Sequence, residues 1–132
     1  MELTTLGRTG LDVSVAGLGC GGHSRLGLTN GASEDDAIAV VHRALDLGIN
    51  LIDTARIYGT EEVVGRALAG RSDEVILSTK AMPDVNGELL GAEQLRGSVE
   101  KSLGRLRTDH VDLFFLHGVR AMFGSVDSVS AN

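Results

Sequence analysis

The sequence is poor in residues that constrain a chain covalently. Cysteine occurs once in 132 residues, at Cys20, so no internal disulfide is available. One proline stands against eighteen glycines, which implies many turns without the sustained bias of a disordered chain. Basic residues are in deficit, 12 against 18 acidic, and the net charge of −6 argues against a phosphate-neutralising surface. No nucleic-acid partner is expected. No apolar run reaches the roughly 18 residues of a membrane span. The opening Met1-Glu2-Leu3-Thr4-Thr5 also lacks a secretory apolar core. The expectation is a soluble, cytoplasmic chain with no membrane partner. Length is limiting too: a closed eight-stranded α/β barrel needs about 200 residues. What remains, 42% hydrophobic and 23% charged, suffices for a packed core.

Turn residues and periodicity divide the chain. Leu3 to Leu6 and Leu11 to Val13 flank Gly7-Arg8-Thr9-Gly10, which predicts a hairpin. The apolar stretch Val13 to Leu18 runs into a glycine-rich loop that continues to Ala32. Ser33, with Asp36 three residues on, opens a first helix whose apolar face is Ile38, Val41, Ala44 and Leu45; Gly48 stops it. Asn50 to Asp53 reads as a strand. Thr60 reads as the cap of a second helix with Val63, Val64, Ala67 and Leu68 inward, and Val75 to Ser78 as another strand. A loop through Pro83 and Gly87 leads to a third helix carrying Leu95, Val99, Leu103 and Leu106, and Val111 to Leu116 forms the last strand. Strands separated by helices require crossovers, so the fold is α/β: an N-terminal β-hairpin, then four parallel strands in sequential order. The three helices lie on one side and the hairpin at the strands' N-terminal end. Residues 121–132 keep no period and read as an irregular tail.

Two features carry candidate chemistry. Gly17 to Gly22 satisfies G-x-G-x-x-G, but about ten loop residues separate it from Ser33, and Asp53 is too far on for the ribose contact of a Rossmann site. A turn after a strand explains it better. More informative are Asp53, Lys80 and His117, each at the C-terminal end of a strand, the edge where parallel α/β folds bind ligands. Alternation puts Asp53 on the face of Leu51, Lys80 on that of Ser78 and Ile76, and His117 on that of Phe115, Leu113 and Val111. Tyr58, the one tyrosine, follows in the loop Ala55 to Gly59. A phenol beside an ammonium ion gives up its proton more readily, which suits it to protonate a carbonyl oxygen.

Other candidates read as structural. Cys20 and His23 have no second pair at ligand spacing, so no metal is expected. His42 and His110 read as surface or structural residues, and Asp112 as a hydrogen-bond acceptor facing the helices. Lys101, Arg105 and Arg107 form a basic helix end suited to the helix dipole.

Asp53-Thr54-Ala55-Arg56-Ile57-Tyr58-Gly59, followed by Glu61-Glu62-Val63-Val64-Gly65, resembles the D-T-A-x-x-Y-G…E-x-x-[LIV]-G signature of aldo-keto reductases. Ser78-Thr79-Lys80 is similar to that family's strand-three lysine segment, and Thr108 to His117 to its T-D-x-V-D-L-x-x-x-H segment. Leu6 to Leu11 and Gly17-Leu18-Gly19 resemble its usual beginning.

The resemblance implies the N-terminal half of a (β/α)8 TIM barrel over residues 1–120. It implies a tetrad of Asp53, Tyr58, Lys80 and His117 that reduces a small carbonyl substrate with hydride from NADP(H). Tyr58 would donate the proton, Lys80 would assist it, Asp53 would pair with Lys80, and His117 would orient the substrate oxygen. Gly19, Cys20, Gly21 and Asp53 would border the cofactor, most of whose site lies in later parts of the family's barrel. Two other readings stand beside this one. Lys80 would be a Schiff-base lysine in a lyase, or the chain would be an inactive half-barrel that self-associates through its open face.

Overall fold

The computed structural model describes residues 1–86 and 88–118. The expected hairpin is present: β1 (Leu3–Thr5) pairs antiparallel with β2 (Asp12–Ser14). Asn50 fastens it in place. The Asn50 side-chain oxygen accepts from Ser14 N at 2.7 Å, its side-chain amide donates to Asp12 O at 2.9 Å, and its backbone N–H donates to Ser14 Oγ at 3.0 Å.

There follow β3 (Gly17–Gly19), α1 (Glu34–Asp46), β4 (Leu51–Asp53), α2 (Glu61–Ala67) and β5 (Ile76–Ala81). Next come a short pair, β6 (Asp84–Val85) and β7 (Glu88–Leu89), then α3 (Ala92–Leu106) and β8 (Leu113–Leu116). The order β3-β4-β5-β8 forms one four-stranded sheet, parallel throughout. Because Asn50 immediately precedes β4, the hairpin lies at the strands' N-terminal end, as expected.

Register gives the sheet two unlike faces. Leu18, Ile52 and Leu77 are partnered across β3, β4 and β5 or lie on the same side, and they pack with Val41, Leu45, Val64, Leu68 and Leu106 in the core beneath the helices. Burial of each such side chain stabilises the fold by roughly 1.5–3 kcal/mol. Leu51, Asp53, Ile76, Ser78, Lys80, Leu113 and Phe115 occupy the other face. α1 begins as its sequence implies: Asp36 N donates to Ser33 Oγ at 3.1 Å, while Asp36 Oδ2 accepts from Ser33 N at 2.9 Å.

The last strand begins at Leu113 rather than Val111, since the Asp112 carboxylate turns back to accept from Leu77 N, and three further local expectations need correction. Thr60 precedes α2 but its hydroxyl does not cap it; buried beneath the loop, it shares a 3.0 Å hydrogen bond with Thr54 Oγ1 instead. The third strand of the sheet starts at Ile76 and runs on to Ala81, because pairing with β8 extends it beyond its apolar run. The segment after Pro83 is a two-residue antiparallel pairing of β6 and β7 rather than plain loop, with Asn86 at φ 55° helping the chain reverse. The tail expected at 121–132 lies outside the described residues.

Candidate active site

The three strand ends deliver their ionisable groups to one edge. Asp53 ends β4, and its neighbour in register is Ser78, whose hydroxyl donates to Asp53 Oδ1 at 2.8 Å. Two residues further along β5, on the same face, Lys80 extends back over this pair. Its Nζ donates to both Asp53 oxygens at 2.6 Å and to Thr54 O at 3.0 Å. Three acceptors match the three protons of an ammonium group, so Lys80 is held as a fixed cation.

Tyr58 reaches the same edge from the loop after β4. It ends a single 3-10 turn, Arg56–Tyr58, and Gly59 at φ 70° reverses the chain behind it. The Lys80 Nζ lies 5.0 Å from the Tyr58 ring centroid. The Tyr58 hydroxyl lies 3.3 Å from His117 Nε2, and the two rings meet edge to face with centroids 5.6 Å apart. His117 follows β8, where its N–H donates to Ala81 O at 2.8 Å. All four sequence-selected residues therefore converge.

The glycine-rich end of β3 forms the adjacent border. Gly19 pairs in register with Asp53, and a side chain added there would meet open space. Gly21 lies directly against the Tyr58 ring. Cys20 between them turns the other way: its side chain is fully buried in the core under the helices, so only its backbone borders the edge. Burial pushes the Cys20 thiol up to about 12; negative charge on Asp53 adds to the shift and Lys80 opposes it.

Elsewhere Asp112, His42 and His110 have structural partners. Asp112 Oδ2 accepts from Leu77 N at 2.7 Å, and His42 Nε2 lies 2.8 Å from Ala67 O. His110 pairs with Asp109 at 2.8 Å on the surface, and that contact raises the histidine's pKa and lowers the carboxylate's. No metal-holding cluster occurs among the described residues. A cavity of about 100 Å³ between Gly65, Leu68, Leu77 and Leu106 lies at the other end of the strands and touches none of the four converging residues.

One residue of the site's foundation was missed as such in the sequence. Glu61 is 1% exposed, accepting from Thr79 Oγ1 at 2.7 Å and from Arg105 Nε at 2.6 Å. Arg105 thus serves as a specific partner to α2 and not only as part of a basic helix end. The available signal was the pairing of Glu61 with Gly65 one helical turn later, which puts an acid and a side-chain gap on one face.

Comparison with known proteins agrees with this geometry. The Aldo/keto reductase family model matches residues 17–123. L-galactose dehydrogenase of Arabidopsis thaliana is 40% identical over 137 residues, covering 98% of this chain and 41% of that protein. Aldo-keto reductase YhdN of Bacillus subtilis is 40% identical over 129 residues, covering 89% of this chain and 38% of that protein. The chain thus spans about two fifths of the length of these relatives. Among solved structures, an aldo-keto reductase of Bacillus halodurans in its holo form superposes with a TM-score of 0.72 at 30% identity, over 98% of this chain and 46% of that one. An aldo-keto reductase of Klebsiella pneumoniae in complex with NADPH superposes with a TM-score of 0.67 at 32% identity, over 82% of this chain and 36% of that one. The parallel sheet and its three helices are the N-terminal half of a (β/α)8 barrel, and the chain belongs to the aldo/keto reductase family.

Proposed function

We propose that this chain carries the proton-donating edge of an NADP(H)-dependent reductase acting on small aldehydes or ketones, with Asp53, Tyr58, Lys80 and His117 as its catalytic residues. The observation that carries the reading is the placement of a phenol between a clamped ammonium ion and an imidazole. The open space over Gly19, beside Asp53 on the same edge, suits the flat nicotinamide end of a dinucleotide, and a similar structure is a complex with NADPH. When bound, that cofactor supplies a hydride to the carbonyl carbon.

The protein's own groups handle the proton. Tyr58 Oη donates it to the carbonyl oxygen, and negative charge then develops on the phenol oxygen. The Lys80 cation, fixed by both Asp53 oxygens, stabilises that charge without having to reorganise. His117 Nε2, beside the Tyr58 hydroxyl, directs the substrate oxygen toward the proton. The Schiff-base alternative requires a free amine at Lys80, whereas three oxygens engage this one as an ammonium group.

The test is to fuse residues 1–118 to the C-terminal part of YhdN and follow NADPH oxidation with a generic aldehyde. Turnover that falls by about 10²-fold or more in Tyr58→Phe is expected for loss of a general acid. Equal turnover in that variant, or borohydride trapping of the substrate on Lys80, overturns the reading. A second reading applies to the chain alone. Phe114, Phe115 and Leu116 of β8 are 38%, 49% and 45% exposed, which favours a self-associating half-barrel with no catalysis of its own.

A further inference from the structure

Glu61 is the one charged side chain fully buried among the described residues, and it sits at the foot of the Tyr58 loop. Within that loop the backbone ties are Tyr58 N to Ala55 O at 3.0 Å and Gly59 N to Arg56 O at 3.1 Å. Its 3-10 turn has no side-chain cap, Arg56, Ile57 and Gly59 are exposed, and Gly59 is left-handed. The Tyr58 ring itself is held against Gly21 and His117, and the loop's two ends are held separately. Thr54 and Thr60, both fully buried, close the base through their shared hydroxyl hydrogen bond of 3.0 Å. The next residue, Glu61, spends one oxygen on Thr79 of β5 and the other on Arg105 of α3. Thr79 immediately precedes Lys80 and points to the opposite face of the sheet.

Close helix packing makes this arrangement possible. Gly65 lies one turn after Glu61 on the same face of α2, and a Cβ there would come within 2.6 Å of the Arg105 and Leu106 backbone. The two helices therefore approach closely enough for the Glu61 carboxylate to meet the Arg105 guanidinium, whose Nη2 also donates to Ser102 Oγ at 3.1 Å. With Glu61 buried and Arg105 only half-buried, the pair is a poor source of net stability compared with apolar packing, but its directional contacts favour one geometry. That is the property a positioned proton donor needs.

We propose that Glu61, tied to Thr79 and Arg105, is a positioning residue that sets where Tyr58 stands relative to Lys80. This deepens the reductase reading and rests on it for its relevance, but the geometric claim is testable without turnover. The chain has one tyrosine and no tryptophan, so tyrosine emission and the tyrosine band in near-ultraviolet circular dichroism report on Tyr58 alone. The 132-residue chain is compared with Glu61→Gln and Thr79→Val, which keep side-chain volume. Arg66→Met, which breaks an exposed ion pair to Glu34, serves as control.

The expected result is loss of most of the Tyr58 dichroic band and stronger acrylamide quenching in both test variants. The far-ultraviolet spectrum stays unchanged, as do the Tyr58 signals of Arg66→Met. Unchanged Tyr58 signals well below melting, with only a lowered Tm, overturn the proposal and leave Glu61 as a tie between helices. If Glu61→Gln fails to fold, Thr79→Val decides by the same criterion. An inactive fusion enzyme alongside altered Tyr58 signals would count against the reductase reading, not against the role of Glu61.

Discussion

The Tyr58 ring occupies the space that a side chain at Gly21 would need. A Cβ at Gly21 would lie 2.7 Å from both Cδ2 and Cε2 of that ring and 2.8 Å from Cζ. Gly21 has no positive φ, so glycine is required here for room and not for backbone angle. Gly21→Ala should push the ring away from His117 and destabilise the fold by about 1–3 kcal/mol, the usual cost of overpacking. Urea unfolding together with tyrosine emission reads both effects. A variant with wild-type stability and emission would show that the ring yields freely.

Cys20 should be inert in the native chain. Its side chain is fully buried and its thiol is pushed up to about 12, while reactivity requires thiolate. A disulfide reagent at neutral pH should label it only after denaturation. The same shift makes the fold sensitive to alkali. The folded state holds the proton more tightly than the unfolded chain, whose thiol titrates near 9.0. Stability is therefore intact below that pH and falls by up to about 1.4 kcal/mol per unit as pH rises from there toward the folded value. Cys20→Ser should flatten this slope in a stability–pH series.

By itself the chain should bind NADPH weakly and reduce aldehydes at a negligible rate. The four parallel strands of the described residues surround only part of the space that eight enclose, and positioned groups act only on reactants held in place. Fluorescence titration of NADPH and an aldehyde assay with Tyr58→Phe as control provide the check. Tight binding with Tyr58-dependent turnover by a monomer would show that half a barrel suffices.

Association is expected through β8. Among the described residues this strand forms one edge of the sheet, with Phe114 and Leu116 exposed on the helix side and Phe115 on the inner side. An apolar edge that has no partner strand among the described residues invites pairing with another chain. Sedimentation should show species larger than a monomer, shifting toward monomer in Phe114→Lys/Leu116→Lys. A wild-type chain that stays monomeric across concentrations would contradict this.

Much of the site was legible because strand alternation is a rigid rule. Once Leu51, Ile76 and Leu113 are placed on one face, Asp53, Lys80 and His117 must join them at the same edge. The Ser33–Asp36 cap was equally readable, since both partners lie within one turn. Thr60 misled for the same reason: the local pattern names a cap, while the buried Thr54 hydroxyl, six residues away, offered its side chain a partner.

The sequence alone determined the order of the three helices and of the four strands in the main sheet, their parallel arrangement and the edge at which Asp53, Lys80 and His117 gather, because each follows from periodicity and chain connectivity. Only the tertiary structure decided that Lys80 is clamped by both Asp53 oxygens and Thr54 O, that Gly21 makes room for Tyr58, and that Glu61 is bound to Thr79 and Arg105. These contacts join residues from 18 to 44 positions apart in several cases. No local pattern encodes such distances, because they depend on how closely one element packs against the next.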